Sequence, residues 1–523
     1  MRAIRFSSTR ALPGSGDSSA VTIEKAIVQG MPRDGGLFVP NHLPPLPPRI
    51  FDPEPLRYAD LAYLVMAPFF QDWGEESLRR IIESAYSTFF HPEVAPLEHL
   101  ADLSDPMDTG MEFHLLELFH GQTCAFKDLA LSVLGGLLRE SLDRLGMKEP
   151  VLVLTATSGD TGSAALEGLS GIPGVKVAVI YPHGGTSDIQ RLQMTTAAGK
   201  DRFVAAIKGN FDDAQGCVKS IFQRASKGEG ALASVFLSSA NSINIGRLLP
   251  QIVYYVAAYR SLKARNALNR EAGASPEGLM HVAVPTGNFG DILAAKYAKE
   301  MGLPIGTLIC ASNANKVLAD FFATGVYDRR RKLVKTDSPS MDILVSSNLE
   351  RLLHMAAGED GARVRSLMED LSVQGWFEIN GKEQHYLSDF TGGWCSDFAA
   401  GSTTSTVWET SGVLVDPHTA TAVEVALRAV DRLSPKAPIV VVGTASPYKF
   451  PKACLEELDP EAAARPGVSD LDHALRVAKL VHGKIPEPIA RLAGAKVVHE
   501  TVLELGEVEA AIACFAAGGL GAE

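Results

Sequence analysis

"VPTGNFGDILAAKYAKEMG" (284–302) passes from the end of an apolar strand, through a glycine-bearing turn, into a helical pattern. The strand ends near Val284, the turn is Gly287-Asn288-Phe289-Gly290, and apolar residues recur at helical spacing from Asp291 onward. Other short apolar runs, "VLVLTA", "VKVAVIYP", "IGTLICAS" and "PIVVVGTA", are likewise separated by helix-period segments. Buried strands alternating with helices specify a largely parallel α/β sheet. Ligands of such sheets bind beyond the carboxyl ends of the strands, so the turns after these runs are where chemistry is expected.

The Gly287–Gly290 turn is a phosphate cradle in principle. Glycine lets the main chain approach an anion, and the helix start at Asp291 offers free N–H groups and a positive dipole end. It has no Walker lysine–hydroxyl pair, which disfavours a nucleoside triphosphate. "VLTATSGDTGSAALEGL" (153–169) repeats the strand–turn–helix order with the hydroxyls of Thr157, Ser158, Thr161 and Ser163. A small carboxylate would fit there; Ser158 or Asp160 would also serve as an ordinary helix N-cap. "VVVGTASPYKFPKA" (440–453) places Thr444 just past a buried strand, where its hydroxyl can meet a ring nitrogen or bond local backbone. "ANSINIGRLLPQIVYY" (240–255) sets Asn241, Ser242 and Asn244 before a helix with Arg247 in its first turn. Arginine is the preferred planar partner of phosphate, and it is equally at home in a surface ion pair.

"FHGQTCAFKDLAL" (119–131) holds a single lysine, Lys127, between Ala125-Phe126 and Leu129-Ala130. Many lysines lay their stems on apolar surface and keep the ammonium wet. A desolvated lysine loses its proton easily and forms Schiff bases, which is the second reading of this position.

The composition, 46% hydrophobic and 21% charged, is that of a globular protein, and the length of 523 residues suggests about two to four domains. A net charge of −12 argues against nucleic-acid or anionic-membrane surfaces, so an anionic substrate requires a local concentration of cations. Six scattered cysteines form no CxxC pair, and no His/Cys cluster has metal spacing, so a reducing, cytoplasmic compartment and no metal are expected. The basic start "MRAIRFSSTRALPGSG" lacks the apolar core of a secretory signal, and no apolar stretch is long enough to span a membrane. The proline-rich 41–54 excludes regular helix, 57–90 reads as helical, and the small polar stretch 394–412, "WCSDFAAGSTTSTVWETSG", reads as a loop.

Taken together, these blocks resemble the threonine synthase family, pyridoxal-phosphate enzymes of fold type II, in the long form of fungi and many bacteria. The resemblance rests on "DGGLFVP" (34–40), "LELFHGQTCAFKD" (116–128), "TATSGDTGSAA" (155–165), "NSIN" with Arg247, "VPTGNFGDILAAKYAKEMGLPI" (284–305), "MDILVSSNLERLL" (341–353) and "TASPYKFP" (444–451). It implies two open twisted α/β domains, as in the tryptophan synthase β-like fold, with a mainly helical N-terminal region. That region is expected over 1–105, the large cofactor-binding domain over 106–144 plus 251–523, and the smaller domain over 145–250. The implied cofactor is pyridoxal 5'-phosphate. Lys127 is implied as the Schiff-base lysine and proton shuttle, Gly287, Asn288, Phe289, Gly290 and Asp291 as the phosphate-side loop, and Thr444 as the group facing the pyridine nitrogen. The loop Thr157, Ser158, Gly159, Asp160 and Thr161 is implied to grip the substrate carboxylate. Ser242, Asn244 and Arg247 are expected at the substrate phosphate, with Lys449 a weaker candidate.

The implied reaction turns O-phospho-L-homoserine and water into L-threonine and phosphate, by γ-elimination and then β-addition of water. A phospho-lyase giving 2-oxobutyrate and a non-catalytic cofactor-binding protein are the alternatives; monomer and homodimer both stay open. Three positions depart from the pattern: Ile245 stands where the family often has Trp, and "TASPYKF" replaces "TAHPAKF" with Ser446 and Tyr448, changes expected to reshape the pocket wall. Asp160 occupies a position where relatives of the fold carry Asn, and an ionised aspartate cannot donate a hydrogen bond.

Overall fold

The apolar runs that end in unusual turns are strands of two separate sheets. The computed structural model describes residues 3–12, 20–101, 103, 110–268, 278–433 and 437–519. The larger sheet has six strands in the order Phe390–Trp394, Ile305–Ser312, Met280–Pro285, Ile439–Gly443, Phe113–Glu117 and Leu97–His99. All neighbours are parallel except the last pair. The smaller sheet is wholly parallel, in the order Val502–Leu503, Arg202–Ile207, Val175–Pro182, Val151–Ala156 and Phe236–Ser238. Strands covered on both faces read as unbroken apolar runs, and Val151–Ala156 and Met280–Pro285 are buried at every residue.

Parallel pairing sends successive turns out of the same sheet edge. Phe113–Glu117, Met280–Pro285 and Ile439–Gly443 lie side by side, so the segments leading to Lys127, Gly287 and Thr444 emerge together. Main-chain bonds then fix the first of these to the third. Phe126 N–H donates to Thr444 O at 2.8 Å, and Ser446 N–H donates to Cys124 O at 3.0 Å. Lys127 opens the helix Lys127–Arg144 directly after this bridge.

The N-terminal part carries helices Ile23–Gln29, Tyr58–Met66 and Glu75–Tyr86, with a two-stranded ladder of Phe6–Ser8 on Phe38–Pro40. The proline-rich 41–54 holds no α-helix, only the 3-10 turn Pro48–Phe51. Buried Arg351 ties this part to the cleft side by donating to Phe38 O at 2.9 Å and to Ile243 O at 2.6 Å. The expected boundary at 105–106 lies outside the described residues.

Two expectations need correction. The stretch 394–412 is mostly the helix Asp397–Ser411. Its hydroxyls do not compete with the helix, because Thr403, Thr406 and Thr410 bond the carbonyls four residues back at 2.8–2.9 Å. Ser396 caps the start, and left-handed Gly412 (φ 68°) ends it. The assignment of all of 251–523 to the larger unit fails at its end. Val502–Leu503 adds a strand to the smaller sheet, and the helix Val508–Ala516 buries Phe515 beside Phe203, ring centroids 5.5 Å apart. Among the described residues no helix is long and apolar enough to cross a membrane.

Phe515→Ala should therefore destabilise the smaller unit by about 3 kcal/mol, the usual cost of emptying a buried aromatic site. Urea unfolding checks this; an unchanged midpoint would show that the C-terminal helix does not support that sheet.

Candidate active site

A cleft between the two sheets, with about 1030 Å³ of atom-free space partly open to solvent, is lined by Lys127, Ser158, Asp160, Arg247, Gly287–Asp291 and Thr444, among others. Lys127 Nζ lies 3.2 Å from Asp160 Oδ2 and 4.5 Å from the centre of the Phe126 ring. Burial lowers its pKa, and the charges of Lys449 and Arg247 push the same way, while Asp160 acts against them. The apolar setting of "CAFKDLAL" thus becomes a lysine biased toward its free amine.

Asp160 is the hub of the site. Its Oδ1 meets Lys449 Nζ at 2.7 Å and Gln190 Nε2 at 2.8 Å, and its Oδ2 meets Lys127 and accepts from Ser340 Oγ at 3.2 Å. Burial alone would raise its pKa; Lys449 and Lys127 outweigh that and hold it well below the usual carboxylate range. Asp160 is therefore an ionised acceptor, fixed between two lysines.

Two rows of main-chain donors face the cleft. No N–H group of Gly287 to Asp291 finds an acceptor among the described residues, and the helix Gly290–Glu300 begins there. The turn's left-handed residue is Phe289 (φ 66°), not either glycine. A Cβ on Gly287 would come within 2.7 Å of Ser340 O, so packing excludes a side chain there. A Cβ on Gly290 would sit in ordinary van der Waals contact with Asn348 Nδ2 and Ser242 Cβ, both at 3.5 Å, so the protein itself tolerates a methyl group there. In the second row, the N–H groups of Ser158, Asp160 and Thr161 also lack acceptors among the described residues. Thr157 is buried, and its hydroxyl accepts from Gly159 N–H at 2.9 Å and Gly162 N–H at 3.0 Å; it shapes the loop. Gly159 (φ 139°) is the N-cap position of the helix Asp160–Gly168.

The remaining expected residues divide. Arg247 lines the cleft and is 2% exposed; its Nη1 donates to Ala240 O at 2.8 Å, and its Nε is buried without a partner. Among the described residues no carboxylate lies within ion-pair distance of it, and burial lowers its pKa to about 10. Ser242 reaches the cleft and accepts from Asn348 Nδ2 at 3.0 Å. Asn244 does not reach it: its side chain donates to Ile27 O and Ser239 O and caps the helix Ile245–Leu248. Asp291 accepts from the Tyr254 and Tyr255 hydroxyls at 2.5 Å each, and burial raises its pKa to about 6, so only its main chain serves the donor row. The Thr444 hydroxyl has no partner among the described residues.

Lys449 is expected only as a weaker phosphate candidate, and His418 carries no signal in the sequence. Lys449 is fully buried and held by Asp160 and by Thr123 O at 2.8 Å, so it supports Asp160 and does not face the cleft. His418 Nε2 accepts from Ser340 N–H at 3.1 Å, and its Nδ1 sits 2.6 Å from Asp416, which orients the loop that reaches Asp160. Ile245, Ser446 and Tyr448 are absent from the cleft wall: Ile245 and Ser446 are buried, and Tyr448 packs with Ile189, Cys454 and Leu455. The expectation that these departures reshape the pocket wall does not hold.

A desolvated lysine between two main-chain anion cradles, at the carboxyl edges of two parallel sheets, defines a pyridoxal-phosphate enzyme of fold type II. The description "Pyridoxal-phosphate dependent enzyme" matches residues 89–445, "Threonine synthase N terminus" matches 5–86, and "Threonine synthase, C-terminal" matches 419–484. The chain is 40% identical to a threonine synthase of Pseudomonas aeruginosa over 455 residues, covering 86% of this chain and 89% of that one. It is 36% identical over 465 residues to the threonine synthase of Saccharomyces cerevisiae, covering 84% and 87%. The crystal structure of cofactor-bound threonine synthase from Brucella melitensis superimposes with a TM-score of 0.82 at 35% identity, covering 98% of this chain and all of that one. The chain belongs to the threonine synthase family, and its cofactor is pyridoxal 5'-phosphate. The residues present fit that group: an amine biased toward deprotonation, free N–H groups from Gly287 to Asp291, and an unpartnered hydroxyl at Thr444.

Two measurements follow from this geometry. Cofactor-free enzyme should take up pyridoxal 5'-phosphate at a rate set by the free-amine fraction of Lys127. Lys449→Met removes a cation that depresses Lys127, so the rate–pH profile should move to higher pH. Asp160→Asn removes the carboxylate that supports the ammonium, so the profile should move to lower pH. Shifts of the same sign in both variants would sink this account. Separately, Gly290→Ala should fold normally yet bind the cofactor about tenfold more weakly, roughly 1.4 kcal/mol; equal affinity would show that the main chain there does not approach the ligand.

Proposed function

We propose that this chain converts O-phospho-L-homoserine and water to L-threonine and phosphate, with the catalytic and binding roles divided as follows. The N–H row of Gly287 to Asp291 holds the cofactor phosphate, Lys127 anchors the cofactor, and the Thr444 hydroxyl faces its ring nitrogen. Bound there, the cofactor supplies an electron sink for negative charge that develops on substrate carbons; a neutral hydroxyl at the ring nitrogen moderates that sink. The N–H row of Ser158 to Thr161 grips the substrate carboxylate. Lys127, once released by the substrate amine, removes the Cα proton and then a Cβ proton, and later returns protons at Cγ and Cα, as its short reach over neighbouring carbons allows. Phosphate leaves from Cγ, water adds at Cβ, and the atoms of substrate and water are conserved in the two products.

The observation that carries this reading is Arg247. It is a buried guanidinium in the cleft with no carboxylate partner among the described residues. An uncompensated buried cation is costly, and a site that already has a cradle for the cofactor phosphate has a second, separate place for an anion. Ser242 stands with it, while Asn244 organises the helix start that presents both.

Incubation of the holoenzyme with O-phospho-L-homoserine and identification of the product tests the reaction: threonine supports it, and 2-oxobutyrate assigns the chain to the phospho-lyase alternative. Arg247→Ala should cut kcat/KM by about two orders of magnitude, roughly 3 kcal/mol, as expected when one side of a buried charge pair is removed. Cofactor content should stay normal, and the ligand-free protein should be no less stable, since the variant relieves a desolvated charge. Lost stability with intact phosphohomoserine kinetics would make Arg247 structural.

A further inference from the structure

Outside the cleft, one group of side chains among the described residues brings metal-ligating atoms together: His99, Glu112 and His114. His99 lies apart in the sequence from the Glu112–His114 pair, and no spacing rule joins it to them. Strand pairing does. Leu97–His99 runs antiparallel to Phe113–Glu117, with His99 directly opposite His114. Glu112 precedes His114 by two residues, so the extended chain turns both side chains to one face.

The backbone under this face is fixed. Leu100 N–H donates to Phe113 O at 2.9 Å, and Ile439 N–H donates to Glu112 O at 2.8 Å. The three potential ligand atoms lie within 4.8 Å of one another. His114 Nε2 is 3.4 Å from Glu112 Oε2, and the His99 and His114 ring centres are 4.9 Å apart. His114 is 2% exposed; its Nδ1 has no partner, and its Nε2 makes no hydrogen bond, only the 3.4 Å contact with Glu112. A buried polar side chain without a partner calls for an explanation, and a bound ion is one of the standard ones.

We propose that His99, Glu112 and His114 form a binding site for a divalent transition-metal cation, with Zn²⁺ the best match. Two imidazole nitrogens and one carboxylate oxygen are a familiar donor set for Zn²⁺, with water completing the shell. Ligand distances of about 2.0–2.2 Å require the donors to close in. His99 and Glu112 are exposed and can rotate, so closure needs no repacking of the core. Buried His114 is the fixed member. The positive charge of Arg265 acts on His114 as well and works against the ion. The site would clamp the antiparallel edge strand Leu97–His99 onto the larger sheet. None of its residues lines the catalytic cleft, so turnover should not depend on it.

The test uses metal-stripped, cofactor-loaded full-length enzyme titrated with Zn²⁺ by calorimetry, and with Co²⁺ by visible absorption. Wild type should bind one equivalent, with Co²⁺ bands of a nitrogen- and oxygen-coordinated ion. His99→Ala and Glu112→Gln, both at exposed positions, should each weaken that equivalent by about tenfold or more, at least the loss known for outer-shell partners. Zn²⁺ should slow amide exchange across 97–100 and 112–116 in wild type and not in His99→Ala. Exposed Cys514 is an independent thiolate ligand, and Co²⁺ bands of sulfur character would reveal it. No bound equivalent in wild type, or an equivalent retained in both variants, overturns the proposal.

Discussion

Asp160 holds a full negative charge in a place nearly without water, and four donors from separate parts of the chain keep it there. Lys127 starts a helix after a strand of the larger sheet, and Lys449 follows another strand of that sheet. Gln190 comes from the helix Asp188–Thr195, and Ser340 from the loop that His418 orients. Asp160 itself follows the strand Val151–Ala156 of the smaller sheet. One carboxylate is thus the electrostatic joint between the two sheets. A buried ion pair contributes little net stability, because desolvation offsets most of its attraction. Its value here is positional: it sets where the Lys127 amine stands and which protonation state that amine prefers.

The same group settles the local charge balance. Lys449, Arg247 and, when protonated, Lys127 are cations against the two carboxylates Asp160 and Asp291, and Asp291 has its pKa raised to about 6. With Lys127 protonated the cleft carries positive excess, and with its amine free the fixed charges balance, in a chain whose formal net charge is −12. Distant surface acids matter little to that balance, because salt screens them beyond about 8–10 Å. The two rows of N–H groups add partial positive charge without adding ions. Anionic groups on cofactor and substrate then meet a field built by neighbours, not by the molecule as a whole.

Much of this was legible in the sequence because it depends on local pattern. The strands came from unbroken apolar runs, and the turns after them came from glycine and hydroxyl residues at strand ends. What stayed hidden depends on contacts across the chain. Nothing around Lys449 marks it as fully buried against Asp160, and Asn244 looks like a ligand residue until its amide is seen bonding Ile27 and Ser239. The helix Asp397–Ser411 reads as a loop in the sequence because small hydroxyl residues favour turns when nothing else decides. Here Ala400, Thr403, Thr404 and Val407 give the segment a buried face. Likewise, His99 and His114 meet only through antiparallel pairing at the sheet edge.

Phe289 shows how such long-range packing prepares the site. A left-handed conformation costs a residue with a Cβ about 1–2 kcal/mol, so glycine would be the easier choice in the turn. The Phe289 ring is 1% exposed and packs near Phe322 and Phe390, with centroids 6.0 and 5.9 Å away. Burying such a ring contributes roughly 1.5–3 kcal/mol, and aromatic neighbours add about 0.5–1.5 kcal/mol. Packing therefore outweighs the backbone strain and holds the strained turn in place. A glycine at 289 would relax the strain but release the turn, and the donor row of Gly287 to Asp291 would have to be ordered anew by each ligand that binds. The aromatic residue places that ordering cost in the folding of the protein, before the cofactor arrives.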